Sequence, residues 1–109
     1  MRPSKRYGHT ATPIGQNVYV FGGRADVRVN DLYVLNFERN TCTQIKHSST
    51  VGTPPSPRSN HTAVNYKENL YIFGGESDEG TLLNDLYQFN TRWQRASLFR
   101  YFLTFVNCR

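Results

Sequence analysis

Two histidines with the capacity for acid–base or metal chemistry stand at matching points of this 109-residue sequence. His9 follows Arg6 by three residues, and His61 follows Arg58 by three residues. A catalytic or metal centre needs several such groups that converge on one point. Repetition favours a structural role instead, because an active site is usually built once while a structural device recurs in every copy of a repeat. Each histidine is therefore predicted to bond to neighbouring backbone and to the next copy.

A second pair of candidate groups, Asp31 and Asp85, lies in two copies of the tetrapeptide Asn-Asp-Leu-Tyr. Paired carboxylates can perform acid–base catalysis, but these two are also repeat-equivalent, and we expect them to bond to nearby backbone amides. The glycines after Phe21 and Phe73 are not followed by the Lys-Ser/Thr of a phosphate loop. Serine hydrolase, Cys/His and zinc-binding patterns do not occur either, so the sequence predicts no catalytic residue, no metal site and no cofactor.

These pairs belong to an internal repeat that organises the whole chain. Val-Tyr-Val-Phe-Gly-Gly at residues 18–23 returns as Leu-Tyr-Ile-Phe-Gly-Gly 52 residues later, and Asn-Asp-Leu-Tyr returns 54 residues later. The β-branched and aromatic residues suit a buried pleated surface, and the glycine pair permits backbone conformations that side chains forbid. Self-similarity with a period of about 50 residues indicates a repeat architecture.

Short apolar runs separated by turn residues predict an all-β chain. Residues 15–17 and 67–69 are typical of hairpin turns, because Gly and Asn tolerate the positive φ of tight turns. The prolines of residues 46–57 exclude that stretch from a central strand. After residue 90 the similarity between the copies breaks down, which predicts an incomplete second repeat. The predicted strands are residues 10–14, 18–21, 31–35, 41–45, 62–65, 70–73 and 85–89.

Composition and charge limit the classes of function. A hydrophobic content of 38% with 14% aromatic residues suits a globular β protein rather than a disordered one. The net charge of +5 is scattered along the chain without a block of like charges, so we expect no nucleic-acid partner. No apolar signal-peptide core precedes the repeat, and no apolar run is long enough to cross a bilayer. These features predict an intracellular, cytoplasmic protein without a membrane partner.

The order Arg-x-x-His, aromatic strand, Gly-Gly, Asn-Asp-Leu-Tyr resembles the kelch repeat over residues 6–93. This resemblance implies blades of a β-propeller, each with four antiparallel strands, whose loops contact partners. The tryptophan expected near the fourth strand is replaced by Cys42 in the first copy and comes early in the second. The residues that carry the pattern are Arg6, His9, Phe21, Gly22, Gly23, Asp31, Tyr33, Arg58, His61, Phe73, Gly74, Gly75, Asp85, Tyr87 and Trp93.

The resemblance also divides the chain into segments. Residues 1–5 form a disordered lead-in, residues 6–57 the first kelch repeat with its following loop, and residues 58–93 an incomplete second repeat. Residues 94–109 form a divergent hydrophobic tail. Its apolar part reads as a buried strand or short helix that covers the end of the sheets, or as a non-native extension. A membrane anchor is the least favoured reading, because the stretch is too short to span a bilayer.

Two blades are fewer than the roughly four to eight that close a propeller. The predicted fold is therefore an incomplete propeller of two four-stranded antiparallel kelch blades, which suggests a fragment, a truncated form or one part of an assembled ring. Open apolar faces and strand edges would favour self-association or low stability. Residues 6–10 and 52–58 further resemble the kelch part of the leucine-zipper-like regulators, which join kelch repeats to BTB domains and act as cullin-ligase substrate adaptors.

The leading functional hypothesis is a non-enzymatic protein-interaction module that binds an unknown protein partner through loops between rigid blades. Two alternatives stay open. One is a fragment of a propeller enzyme or of a metal-dependent specifier protein, and the other is a truncated product without independent function. Affinity is expected to come from the variable loops at residues 24–29, 46–57 and 76–83. The residues expected to contact a partner are Arg24, Arg28, Glu76, Asp78 and Glu79.

Overall fold

The computed structural model describes residues 3–92 and 94–98, which fold into two similar sheets. Each sheet contains four antiparallel strands in simple sequential order, β1-β2-β3-β4 and β5-β6-β7-β8, which we call blade 1 and blade 2. The predicted fold class is thereby confirmed. Trp93 and residues 99–109 of the predicted tail lie outside the described residues. The strands are β1 Thr10–Ile14, β2 Asn17–Phe21, β3 Leu32–Asn36, β4 Thr41–Ile45, β5 Thr62–Tyr66, β6 Asn69–Glu76, β7 Leu82–Asn90 and β8 Arg95–Leu98.

The fourth strand of blade 2 is present although the sequence similarity is lost there. Asn36 pairs with Thr41 across the β3–β4 turn, and Asn90 pairs with Arg95 across the β7–β8 turn, at the same spacing. Both turns end on a residue with positive φ, 55° at Asn40 and 50° at Gln94. Blade 2 therefore contains a fourth strand, β8. Backbone hydrogen bonds and turn geometry specify such a pairing without requiring particular side chains.

The glycine pair ends a strand in blade 1 but not in blade 2. β2 stops before Gly22, as predicted, whereas β6 continues through Gly74 and Gly75 to Glu76, with a register shift after Phe73. β7 correspondingly begins at Leu82 rather than at the predicted residue 85. The loop of blade 2 is two residues longer than its counterpart, which lets Glu76 pair with Leu82. A bulge of this kind accommodates the inserted length without disturbing the rest of the sheet.

The hydrophobic core lies between the two blades. Side chains on one face of blade 1 pack against side chains on one face of blade 2, and β1 contacts both β5 and β6 across the interface. Cross-strand alternation produces these faces, because every second residue of a strand points to the same side. Neither sheet therefore has a buried core without the other. The buried members of the core are Tyr19, Phe21, Leu32, Ile45, Leu70, Ile72, Phe89 and Ala96.

Candidate functional site

The strand directions collect the long connections on one face of the molecule. In an antiparallel meander, the β2–β3 loop and the β4–β5 connection leave from the same edge of the sheet, opposite the tight hairpin turns. The β6–β7 loop lies at this edge as well, since blade 2 repeats blade 1. We call this surface the loop face. It carries all five residues that the sequence predicts to contact a partner.

Arg28 uses the loop face to connect the two blades. Its guanidinium lies 3.3 Å from Glu76 Oε1 and 3.4 Å from Asp78 Oδ1, and its Nε donates to Ser59 Oγ at 2.8 Å. Its backbone N–H donates to Asp78 Oδ1 at 3.1 Å. With only 10% of its side chain exposed, Arg28 is a structural brace. Three of the five predicted contact residues therefore bind to one another across the blade interface.

The other two predicted contact residues remain available to a partner. Arg24 is fixed through its backbone, which exchanges hydrogen bonds of 3.1 and 2.8 Å with Tyr7. Its side chain borders an open groove together with Lys5 and the side chain of Tyr7, which is 60% exposed. Glu79 is exposed in the turn that Gly80 N–H closes onto the Ser77 carbonyl at 3.0 Å. Within the described residues, neither the Arg24 nor the Glu79 side chain forms an ion pair.

A buried arginine braces the interior of each blade. Arg58 is 0% exposed, and its guanidinium donates to both carboxylate oxygens of Asp85, at 2.6 and 3.0 Å. It also donates to the Gly74 carbonyl at 2.9 Å and lies 5.6 Å from the centroid of the Tyr87 ring. This geometry satisfies the charge on every side, as a buried ion requires.

The same brace occurs in blade 1, where Arg6 donates to both oxygens of Asp31, at 2.5 and 3.2 Å, and to the Gly22 carbonyl at 3.2 Å. The Tyr33 ring lies 5.8 Å from this guanidinium. The aspartates thus accept from arginine side chains rather than from the nearby backbone amides that the sequence suggested. Arginine and aspartate occur together in both copies of the repeat. This recurrence is the feature of the sequence from which their pairing could have been predicted.

His61 joins blade 2 to blade 1. Its Nε2 lies 3.1 Å from the Phe21 carbonyl oxygen and 2.9 Å from Thr10 Oγ1. Because a carbonyl can only accept, Nε2 must carry the proton. The ring also packs edge-on against the Phe21 ring, with centroids 5.2 Å apart.

Burial keeps His61 neutral. Its pKa falls from 6.5 to about 4, mainly because burial removes the ring from water. The hydrogen bond to Phe21 opposes this shift, and the nearby Arg58 and His9 add to it. Nδ1 is buried without a hydrogen-bond partner among the described residues. An additional proton there would create a buried, unpaired charge. His61 is therefore suited to joining the blades and unsuited to transferring protons near neutral pH.

Potential metal ligands do not cluster in the described part of the chain. No three His, Cys, Asp or Glu side chains within residues 3–92 and 94–98 lie where they could hold a metal ion. The apolar cavity between the blades has a volume of about 20 Å³, far below the roughly 300 Å³ of a small-molecule pocket. No helix in the same residues is long and apolar enough to cross a membrane.

Two meandering four-stranded sheets that pack face to face, each with its arginine–aspartate brace, are adjacent blades of an incomplete β-propeller. A family model described as the KLHDC2/KLHL20/DRC7 Kelch-repeats domain matches residues 1–102. The chain therefore belongs to the kelch-repeat family, which confirms the resemblance read from the sequence.

Curated relatives agree with this assignment. The chain is similar to Tip elongation aberrant protein 1 of Schizosaccharomyces pombe, with 38% identity over 94 residues, covering 84% of this chain and 8% of the relative. Kelch repeat-containing protein 2 of Saccharomyces cerevisiae is 37% identical over 97 residues, covering 82% and 11% respectively. The Leucine-zipper-like transcriptional regulator 1 homolog of Drosophila melanogaster is 35% identical over 88 residues, covering 80% and 9%. The chain thus spans about a tenth of the length of these relatives.

Proposed function

We propose that this chain is a non-enzymatic protein-interaction module that binds its partner through the loop face. Membership of the kelch-repeat family supports a protein-interaction role in general. The specific proposal rests on the observation that some charged loop residues pair with one another while others do not. Arg28, Glu76 and Asp78 hold the loops in place, which leaves the charged side chains of Arg24 and Glu79 displayed on a rigid support.

The chemistry of the loop face defines the partner it would fit. Arg24, Lys5 and the exposed Tyr7 border one groove on blade 1, which Asp26 also lines, and we call the first three residues the basic patch. Glu79 lies on blade 2 and provides a negative charge on the same face. A protein segment with an acidic residue for the basic patch and a basic residue for Glu79 would match this arrangement. Tyr7 would act as the apolar anchor, since aromatic side chains dominate binding energy at many interfaces.

We further propose that the module supplies partner recognition within a larger substrate adaptor. The similarity to the Leucine-zipper-like transcriptional regulator 1 homolog supports this extension, because the corresponding resemblance in the sequence implies such adaptors. In that setting the loop face would select the substrate. Any ligase recruitment would depend on other domains.

The test compares partner recovery by the wild-type chain and by loop variants. Arg24→Glu should weaken binding about tenfold, because it cancels the positive charge of the basic patch without removing a structural contact. Arg39→Glu is the matched control, since Arg39 is exposed in the β3–β4 turn on the opposite edge. Arg28→Ala should also weaken binding, but with a lower melting temperature, because it releases the brace.

Two results would contradict the proposal. Equal partner recovery by the wild-type chain and by Arg24→Glu, Lys5→Glu and Tyr7→Ala variants would show that the basic patch is not used. A stoichiometric transition metal in the purified chain would favour the alternative of a propeller enzyme or metal-dependent specifier fragment.

A further inference from the structure

Blade 2 exposes a face whose counterpart on blade 1 is buried. Thr12 on blade 1 is 5% exposed because blade 2 covers it, whereas Val64, which stands 52 residues later, is 55% exposed. Tyr66, next on the same side of β5, is 61% exposed. Strand register extends this surface over β6 and β7. We call it the outer face of blade 2. Its exposed and half-buried members are Thr62, Val64, Tyr66, Tyr71 and Phe73, and Leu86 on the same side of β7 is buried.

Blade 1 carries the complementary surface on its opposite side, where Ala11 is exposed and its register neighbours Val20 and Tyr33 are buried. Ala11 pairs with Val20 on the side of blade 1 that points away from blade 2. The equivalent pair in blade 2, Ala63 and Ile72, packs into the interface between the blades. His9 is exposed at the edge of this outer face of blade 1, whereas its counterpart His61 is buried against blade 1. The chain therefore carries both halves of the blade interface, one at each end of the described structure.

We propose that a second copy of this chain docks the outer face of its blade 1 onto the outer face of blade 2. The contact would repeat, between two molecules, the interface that already exists within one. His9 of the incoming copy would take the place of His61, with its Nε2 donating to the Phe73 carbonyl beside the Thr62 hydroxyl. The groups match by repeat position, because Thr62 and Phe73 stand 52 residues after Thr10 and Phe21, the groups that His61 contacts.

Hydrogen-bond chemistry favours this head-to-tail arrangement over a symmetric one. Two outer faces of blade 2 placed against each other would each present the Phe73 carbonyl, which is an acceptor, and neither would supply the histidine donor. Head-to-tail contacts close into rings when the rotation per subunit permits. Two, three or four copies would give four, six or eight blades, within the range of roughly four to eight found in closed propellers.

Self-docking and partner binding use different surfaces. The docking surfaces are sheet faces, whereas the basic patch and Glu79 lie on the loop face at the strand ends. Failure of one proposal would therefore leave the other intact.

Complementary variants test the proposal by sedimentation and native mass spectrometry. Val64→Glu places a charge on the outer face of blade 2, and Ala11→Glu places one on the outer face of blade 1. We expect the wild-type chain to form oligomers and each variant alone to be monomeric. An equimolar mixture should form a 1:1 heterodimer that cannot extend, because each variant retains the half that the other lacks.

Controls separate docking from folding. Phe37→Glu changes a side chain that is 74% exposed in the β3–β4 turn, off both docking faces, and should assemble like the wild-type chain. Circular dichroism verifies that every variant keeps its strands. If Ala11→Glu does not fold, His9→Ala replaces it. Removing this exposed side chain should weaken self-association about tenfold without affecting the fold of the monomer.

Three outcomes would overturn the proposal. A wild-type chain that remains monomeric at high micromolar concentration would exclude self-docking. Self-association of Ala11→Glu with no heterodimer in the mixture would indicate the symmetric contact between outer faces of blade 2. Assembly of the Val64→Glu variant alone, to the same extent as the wild-type chain, would show that the outer face of blade 2 is not involved.

Discussion

Arg58 is a charged residue that stabilises the interior of blade 2. A buried guanidinium costs several kcal/mol unless a partner neutralises it. Here the bidentate contact with Asp85, the Gly74 carbonyl and the Tyr87 ring surround it. The brace therefore links the stretch before β5 to strands β6 and β7.

Arg58→Ala should destabilise the chain by about 3–5 kcal/mol, because it leaves the Asp85 carboxylate without its partner. This loss approaches the whole stability of a small domain, so the variant is expected to be largely unfolded at room temperature. Arg39→Ala, at an exposed position, should change stability by less than about 0.5 kcal/mol. Urea denaturation monitored by circular dichroism measures both. Equal stability of the two variants would contradict the structural role of the brace.

His61 should make stability depend on pH. Its pKa is lowered from 6.5 to about 4 on folding, so the unfolded chain binds a proton between these values and the folded chain does not. The contribution is complete above pH 6.5 and is lost as the pH falls toward 4, by about 3 kcal/mol in total. His61→Gln should therefore flatten the dependence of unfolding free energy on pH in that window. A His61→Gln variant that keeps the wild-type pH dependence would contradict this origin of the effect.

At the level of elements, the glycine pair after β2 provides room for the neighbouring blade. Gly22 has a φ of +68°, and a Cβ there would lie 2.8 Å from His61 Cε1 and 3.0 Å from the Arg58 carbonyl oxygen. The turn after β1 also uses a glycine, Gly15, with a φ of +62° but no atom within 4 Å of its would-be Cβ. Both positions need a positive φ. Only at Gly22 would a side chain also collide with the neighbouring blade.

Gly22→Ala should therefore cost more stability than Gly15→Ala. Both substitutions introduce strain of about 1–2 kcal/mol from the left-handed backbone. Gly22→Ala also pushes a methyl group into blade 2, which should add about 1–3 kcal/mol. Comparison of the two denaturation midpoints isolates the contact between the blades. Matching losses for the two variants would mean that blade 2 does not approach Gly22 as closely as the structure shows.

The element that sequence similarity did not reveal is β8. Its pairing with β7 depends on main-chain hydrogen bonds and on the positive φ of Gln94, a conformation that Asn40 adopts at the same point of blade 1. Asn is common in this backbone region and Gln is not. The sequence pattern therefore marked the turn in the first copy and concealed it in the second.

At the level of the whole molecule, the two blades share one core and should unfold together. Leu70 is 1% exposed and belongs to the cluster that joins the sheets. Leu70→Ala should destabilise the chain by about 2–5 kcal/mol, as is usual for a leucine removed from a packed interior. Leu82, which is 81% exposed, provides the control, since Leu82→Ala should have an effect below about 0.5 kcal/mol.

Hydrogen exchange distinguishes shared from separate stability in the Leu70→Ala variant. With one common core, amides of β2 in blade 1 should lose protection together with amides of β6 in blade 2, although only blade 2 carries the substitution. Unchanged protection in β2 would show instead that each blade is stable by itself.

The sequence alone determined the fold class, most strands and the repeat-equivalent residues. Alternating apolar residues, hairpin turns and glycine pairs are local signals. They occur at matching positions in both copies of the motif, which made the strand prediction more specific. Local patterns do not encode distance between segments far apart in the chain. The pairing of Arg6 with Asp31, and of Arg28 with Glu76 and Asp78, therefore appeared only in the tertiary structure.

The tertiary structure also decided what each repeat-equivalent residue does. His9 and His61 share the pattern Arg-x-x-His-Thr-Ala, but His61 is buried because blade 1 covers it, whereas His9 is exposed. Arg24 and Arg28 are both loop arginines, but only Arg28 meets carboxylates from the neighbouring blade. The physical reason is the same in each case. Burial and electrostatic partnership depend on which surface packs against a residue, and packing is a property of the assembled blades.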